Sequence, residues 1–275
     1  MKTPRNAEAD GAKTQRGIQS VEVGARLLRV LADARVPLAP SDLAAGAEIA
    51  SSQAHAYLVS LTRLGLIKRD ALSGRYEAGP LALRLGLLHL AQQPALREAV
   101  PHAAALAQAH NCSVAMCIAG PQGPTIVRYE HASLPLHVNL HVGTVMSLPA
   151  TSTGRVFCAY LDDDALHAMW ANQTAQPVWR GTSGEHDAAP RQDAAFAATL
   201  DTIRTRGFEL GIDAPSPGVS SVCAPVRDAA GALRLTLTAI GASGALDVRA
   251  DGALVHALRE ATDAIARAAF SSTSN

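Results

Sequence analysis

The stretch from Ser41 to Ala78 constrains the fold more than any other part of the chain. Its pattern predicts a short helix, a turn, a second helix ending at Gly65, and two short strands around a polar turn. Ser41 ahead of Asp-Leu-Ala-Ala offers an N-cap hydroxyl to a first-turn amide, and Asp42 sits at the positive end of the helix dipole. Leu43, Ala44 and Ala47 form an apolar stripe, and Gly46 to Ile49 carries the turn to a second start capped by Ser51 or Ser52. Ala54, Tyr57, Leu58, Leu61 and Leu64 then recur at three- and four-residue spacing. That turns one face inward and leaves Ser52, Gln53, His55, Ala56 and Ser60 outward. Residues 66–69 and 75–78 read as strands, and Asp70-Ala-Leu-Ser-Gly74 between them has the Asp, Ser and Gly of a hairpin loop.

Upstream, Val21, Ala25, Leu28, Val30 and Leu31 follow Ser20 in a helical pattern ending near Val36-Pro37. Three helices and a hairpin in this order are a winged helix-turn-helix, whose expected partner is double-stranded DNA. The alternative is a small three-helix domain that binds another protein or nothing. In the DNA-binding reading, Gln53 and His55 reach base edges, while Ser51, Ser52, Lys68, Arg69 and Arg75 position the phosphate backbone.

The residues resemble those of the IclR family of bacterial transcriptional regulators from about Gly17 to Phe270. In the first half the resemblance rests on Gly17-Ile-Gln-Ser-Val-Glu-Val-Gly-Ala-Arg26, Ser52-Gln-Ala-His-Ala-Tyr-Leu58, Leu61-Thr-Arg-Leu-Gly-Leu-Ile67 and Gly74-Arg-Tyr-Glu-Ala-Gly79. In the second half, Leu148-Pro-Ala-Thr-Ser-Thr-Gly-Arg155 and Gly218-Val-Ser-Ser-Val-Cys-Ala-Pro-Val226 are similar to the family's two effector-domain signatures. Family members usually carry Arg after the recognition-helix His or Tyr, where this chain has Ala56, so the operator differs or the affinity is lower. The resemblance implies a homodimer or tetramer that binds operator DNA and whose second domain senses a small metabolite.

Length and charge agree with two domains. A chain of 275 residues accommodates a small DNA-binding module and a larger sensing domain. Its formal net charge is zero, yet residues 1–80 hold 11 Lys or Arg against 8 Asp or Glu, and the remainder is correspondingly acidic. Phosphate binding then depends on the placement of a few cations and on two copies of the domain. The expected division is a disordered leader at 1–16, a winged helix-turn-helix at 17–79, a linker helix at 80–93, an effector domain at 94–271 and a disordered tail at 272–275. The leader, with Lys2, Arg5, Lys13 and Arg16, lacks the apolar core of a signal peptide, and its scattered cations also suit a minor-groove arm. No apolar run reaches the roughly 18 residues of a membrane span. Cys112, Cys117, Cys158 and Cys223 sit in apolar segments without zinc spacing, as free thiols in a reducing cytoplasm do.

Pro80 opens a helix bearing Leu81, Leu83, Leu85, Leu87, Leu88 and Leu90, too rich in leucine to stand alone in water. It packs either on its own sensing domain or, as we favour, on a second copy, aligning two recognition helices on neighbouring turns of a palindromic site. A second helix spans residues 96–110. Beyond it the pattern is α+β: strands at 113–119 and 125–131 around Gly120-Pro-Gln-Gly-Pro124, a third at 136–141, helices at 153–160 and 193–206, strands at 221–227 and 233–240, and a closing helix at 249–270. The resemblance implies that this antiparallel sheet is a GAF-like or PAS-like fold.

The same resemblance suggests a pocket. Thr151, Ser152, Thr153 and Gly154 begin a helix, where free amides and the dipole favour a carboxylate. Matching of the family's signatures brings Asp213, Ser221, Cys223 and Thr238 to the same cavity, suited to a small organic or aromatic acid. Each has a plainer alternative: Thr151 to Thr153 cap the helix, Cys223 is core, and Asp213 caps a turn. No metal or cofactor is expected. His137 and His141 share a strand face near His131 but find no further ligands at convincing spacing, and Asp162 to Asp164 read as a solvated cap. The sequence shows no phosphate loop, His-Glu-x-x-His, nucleophile elbow or dinucleotide fingerprint. The expectation is therefore a regulator and not an enzyme, with a metabolite sensor lacking specific DNA binding, or a hydrolase using Cys223 or Ser221, as alternatives.

Overall fold

A computed structural model describes residues 17–34, 36–133, 138–175 and 194–271. It divides into two compact units, Met1–His89 and Leu90–Asn275. The expected leader and tail, His137 and the start of the strand expected at 136–141 lie outside the described residues.

The N-terminal unit contains α1 (Gln19–Ala34), α2 (Pro40–Gly46), α3 (Ser51–Arg63), β1 (Ile67–Arg69), β2 (Tyr76–Ala78) and α4 (Pro80–Ala91). Its core is Leu27, Leu31, Leu43, Ala47, Leu58, Leu61, Ile67 and Tyr76. The inward stripe of α1 is Val23, Leu27 and Leu31, while Val21 faces out, so the helix is rotated from the sequence expectation. Both expected serine caps are displaced. Helix α2 starts one residue before Ser41, with Pro40 in its first turn and Ala39 as N-cap, and Ser51 is the first residue of α3 after Ala50. Proline already has the φ a helix requires and no amide needing a cap, which explains the early start of α2. At the far end of α3, Gly65 takes φ +74°, donating to Thr62 O, and Leu66 N–H reaches Leu61 O, the paired bonds of a Schellman turn. That turn rotates Leu64 outward, although its spacing places it on the inner face.

The wing pairs antiparallel, Ile67 with Ala78 and Arg69 with Tyr76, and a bridge from Leu38 to Tyr76 ties it to the segment before α2. Its loop is organised by Asp70, whose carboxylate accepts the N–H groups of Leu72 and Ser73 and the Ser73 hydroxyl. Those bonds hold the Asp70 carboxyl below its ordinary pKa, the bonds from Ser73 contributing most.

The C-terminal unit contains α5 (Pro94–His110), β3 (Ser113–Gly120), β4 (Gly123–Glu130), α6 (Ser152–Tyr160), α7 (Asp163–Ala175), α8 (Ala194–Arg206), β5 (Glu209–Gly211), β6 (Val219–Arg227), β7 (Leu233–Ala242) and α9 (Ala253–Phe270). The strands form one antiparallel sheet in the order β4-β3-β7-β6-β5. Residues 138–141 form no regular strand, contrary to expectation; the neighbouring Val145 makes only an isolated bridge with Thr125. The closing helix begins at Ala253 and not at 249, because Asp247 accepts the Arg249 amide and holds the preceding residues in a turn.

Alternation along the strands gives the sheet two different faces. Val114, Met116, Val222, Ala224, Val226, Leu235, Leu237 and Ala239 point to α5 and α9 in a wholly apolar core. Ala115, Cys117 and Ile240 join Phe157, Cys158 and Trp170 on the opposite side. On β6 and β7 that side also carries Ser221, Cys223, Thr236 and Thr238, all buried. Polar side chains are thus concentrated under α6.

Candidate nucleic-acid interface and effector site

Ser51, Ser52, Gln53, His55, Ala56 and Ser60 are all exposed along α3. Ala50, its N-cap, carries no side chain able to accept a first-turn amide. Ser51 and Ser52 therefore lie in that first turn with their hydroxyls outward, where amides, dipole and hydroxyls together suit a phosphate. The wing cations are exposed but have local partners. Lys68 pairs with Glu77 at 2.9 Å, Arg69 donates to Gly74 O and lies over the Tyr76 ring, and Arg75 donates to Pro37 O. These contacts orient the side chains at little cost to their charge, because exposed ion pairs are weak.

The second group of residues converges under α6. The Thr151 hydroxyl accepts the Gly154 N–H at 2.9 Å, and that hydroxyl donates to Ser147 O. Thr151 is therefore a helix cap, as one of the two sequence readings had it. Ser152 and Ser221 share a hydrogen bond at 2.8 Å, and Thr153 and Thr238 another at 2.8 Å. These two bonds fasten the first turn of α6 to β6 and β7. Gly154 has no room for a side chain, since a Cβ would collide with Ser147 O and the Leu148 backbone. Cys223 lies across from Thr238 in the strand register. Burial pushes its thiol up to about 12, against smaller opposing effects of hydrogen bonds from Thr238, Thr236 and Thr153. Asp213 stands apart: it is exposed at φ +50°, and its carboxyl is held below the ordinary value by the Ser243 hydroxyl and the Gly218 N–H.

Three residues that sequence reasoning left without a role complete this site. Arg155 pairs with Glu209 at 2.7 Å and also donates to Pro149 O and Leu210 O. Glu209, almost fully buried, receives Arg206 on its other oxygen. Gln173 on α7 is buried, accepting the Leu148 N–H and donating to Met146 O, and so serves the segment ahead of α6 as a strand would. Sequence periodicity offers no signal for such partners, since each meets its contact far along the chain.

Among the described residues no group of three His, Cys, Asp or Glu side chains could hold a metal ion. Nor is any helix among them long and apolar enough to cross a membrane.

Comparison with known proteins agrees with both halves. Residues 20–71 match the IclR helix-turn-helix domain and residues 89–267 the C-terminal domain of bacterial IclR transcriptional regulators. The chain is 30% identical over 232 residues to the glycerol operon regulatory protein of Streptomyces coelicolor, covering 84% of this chain and 87% of that one. It is similar to the crystal structure of Pseudomonas aeruginosa HmgR, with 31% identity, a TM-score of 0.56, and coverage of 93% and 100%. It also shares its fold with an IclR homologue from Microbacterium hydrocarbonoxydans crystallised with 4-hydroxybenzoate, at 19% identity, a TM-score of 0.67, and coverage of 90% and 98%. With an exposed recognition helix on one unit and a polar-lined sheet under α6 on the other, the chain belongs to the IclR family and is a DNA-binding transcriptional regulator with a C-terminal effector-binding domain.

Proposed function

We propose that the reading head at 17–79 places α3 in the major groove, with Gln53 and His55 at base edges. Ser51, Ser52, Lys68, Arg69 and Arg75 hold phosphates. The observation that carries this reading is the exposed polar row on α3, whose start has only Ala50 as its cap. Ala56 within that row removes one long side chain from the interface, so a single head reads few bases.

Two heads therefore act together. The linker region at 80–93 contains α4, which buries none of its side chains and exposes Leu83, Leu85, Leu87 and Leu88. Beside it, Leu28, Leu31, Val36, Leu66, Ala82 and Leu85 line an apolar cavity of about 560 Å³. A second copy of α4 and its surroundings covers both surfaces, and the homodimer so formed, alone or doubled to a tetramer, reads two half-sites.

The effector is a small organic or aromatic acid bound in the domain at 94–271. Its carboxylate meets the first turn of α6, and Ser152, Thr153, Ser221, Cys223 and Thr238 exchange their mutual bonds for bonds to it. Thr151 and Gly154 shape that turn, and Asp213 orders the neighbouring loop. The 4-hydroxybenzoate bound by the Microbacterium relative is of this chemical class. Occupancy shifts operator affinity only if the acid binds the two DNA-competence states unequally. No catalytic step is assigned: a thiol with a pKa of about 12 is no nucleophile at neutral pH, and the Ser221 hydroxyl is engaged by Ser152. The protein acts in the cytoplasm, beside the chromosome it reads.

The test is selection of bound fragments from sheared DNA of the source organism by the purified full chain at two salt concentrations. Enrichment of one or a few palindromic sites at the higher salt is expected. Uniform, salt-sensitive retention, or none, overturns the reading and leaves a metabolite sensor without specific DNA binding.

A further inference from the structure

A cleft in the C-terminal unit, of about 350 Å³, lies between the C-terminal end of α6, the β6–β7 turn and α9. Tyr160, Arg227, Asp228, Arg259, Thr262 and Asp263 are among its walls. It sits at the opposite end of α6 from Thr151 to Gly154, and none of the effector side chains lines it.

The charges in this cleft are unequally committed. Asp228 accepts the N–H groups of Ala230 and Ala232 and pairs with Arg234 at 2.5 Å, so its charge is spent on the turn. Arg227 rests on the Tyr160 ring, 4.9 Å from its centroid. The Tyr160 hydroxyl donates to Ile203 O, which fixes that ring as a wall. Arg259 and Asp263 stand one turn apart on α9, close enough for such groups to bridge. Among the described residues, neither side chain makes a hydrogen bond or ion pair, and Arg227 also lacks one. Two cations, one of them resting on the Tyr160 ring, and one anion therefore face a small cleft with no ion pair made among the described residues.

We propose that this cleft binds a free α-amino acid, the carboxylate on Arg259 and Arg227 and the ammonium on Asp263. A simple carboxylate would meet the unpaired Asp263, and a simple amine would meet two guanidinium groups; a zwitterion satisfies all three. Positions four apart on a helix face set the two opposite charges side by side, as the adjacent ammonium and carboxylate of an amino acid require. The Tyr160 and Arg227 stack forms a flat wall for its side chain. This site stands independently of the effector reading above.

The experiment titrates each proteinogenic amino acid separately into the full chain without DNA, by ligand-observed magnetic resonance and then calorimetry. At least one is expected to bind with a Kd of about 1 mM or below. Arg259→Gln and Asp263→Asn, both at exposed positions, each weaken it about tenfold or more. The deaminated acid with the same side chain binds the unaltered protein no better than the amino acid binds the Asp263→Asn variant. Added 4-hydroxybenzoate, as a probe of the effector site, leaves the Kd unchanged. The proposal is overturned if no amino acid saturates by about 10 mM, if binding survives both substitutions, or if 4-hydroxybenzoate displaces the amino acid. Because no DNA is present, any of these results leaves the operator reading standing.

Discussion

Arg155 and Glu209 form an ion pair at 2.7 Å that is largely withdrawn from water and joins the first turns of α6 to the edge strand β5. Arg206 reaches the second oxygen of the same carboxylate from the end of α8. One buried Glu thus holds three elements around the polar face of the sheet.

Removing Arg155 leaves Glu209 buried with a single cation. Breaking a buried pair on one side typically costs about 3–5 kcal/mol, and the remaining Arg206 reduces that to about 2–3 kcal/mol for Arg155→Ala. Urea denaturation of the C-terminal unit's transition measures it. A loss below about 0.5 kcal/mol, the scale of an exposed pair, would show that the clamp does not hold α6.

The Thr153 and Thr238 hydroxyls satisfy one another in a buried setting. Thr238→Val orphans Thr153 and is expected to cost about 1–3 kcal/mol, whereas Thr153→Val with Thr238→Val is close to neutral, because both polar groups leave together. A double-mutant cycle by chemical denaturation reads the coupling. Simple additivity of the two single losses would mean that the bond contributes little.

On the wing, replacing Lys68, Arg69 and Arg75 with Ala is expected to weaken all DNA sequences alike. The slope of log affinity against log salt should fall by about one for each phosphate no longer neutralised. Gln53→Ala should instead relax base preference, with about 1–3 kcal/mol of discrimination lost and the salt slope intact. If Arg75→Ala changes base preference at constant salt slope, its assignment to phosphate is wrong.

The buried thiols impose an alkaline limit on stability. Burial raises Cys223 from 9.0 to about 12 and Cys112 from 9.0 to about 11. In the unfolded chain each thiol ionises from about pH 9, so there the unfolded state binds fewer protons than the native one. Stability contributed by the protonated thiols is complete below pH 9 and falls as pH rises toward the folded values, by about 1.4 kcal/mol per pH unit for each thiol at the steepest. Denaturation at pH 8 and pH 10 measures the slope. Cys223→Ala should reduce it, and an unchanged slope would place the sensitivity elsewhere.

Much of the N-terminal unit was legible because its signals are local. The hairpin residues Asp70, Ser73 and Gly74, the stop at Gly65 and the triad Ala54, Leu58 and Leu61 all act within a few positions of themselves. Capping was harder to read: Ser41 and Ser51 are good caps by type, but α2 begins at Pro40 and α3 at Ser51, so the cap positions fall on Ala39 and Ala50. In the second unit, periodicity located most elements but overlooked β5, whose three residues are too few to show alternation. It also extended a strand over residues 138–141, where the chain makes no regular pairing. Thr238 and Ser221 could be chosen only through family resemblance, since a buried hydroxyl and a solvated one look the same in sequence.

The sequence by itself determined the order of most elements, the polar row on α3 and the alternation that divides β7 into Leu235 and Leu237 on one side and Thr236 and Thr238 on the other. These follow from intrinsic periods of 3.6 and 2 residues, which need no knowledge of the partner surface. Only the tertiary structure decided that Thr153 meets Thr238, that Arg155 and Arg206 share Glu209, and that Arg259 and Asp263 face a cleft beside Arg227. Thr153 with Thr238 and Arg155 with Glu209 join residues tens of positions apart, and the packing that selects such pairings depends on shape and burial summed over the whole unit.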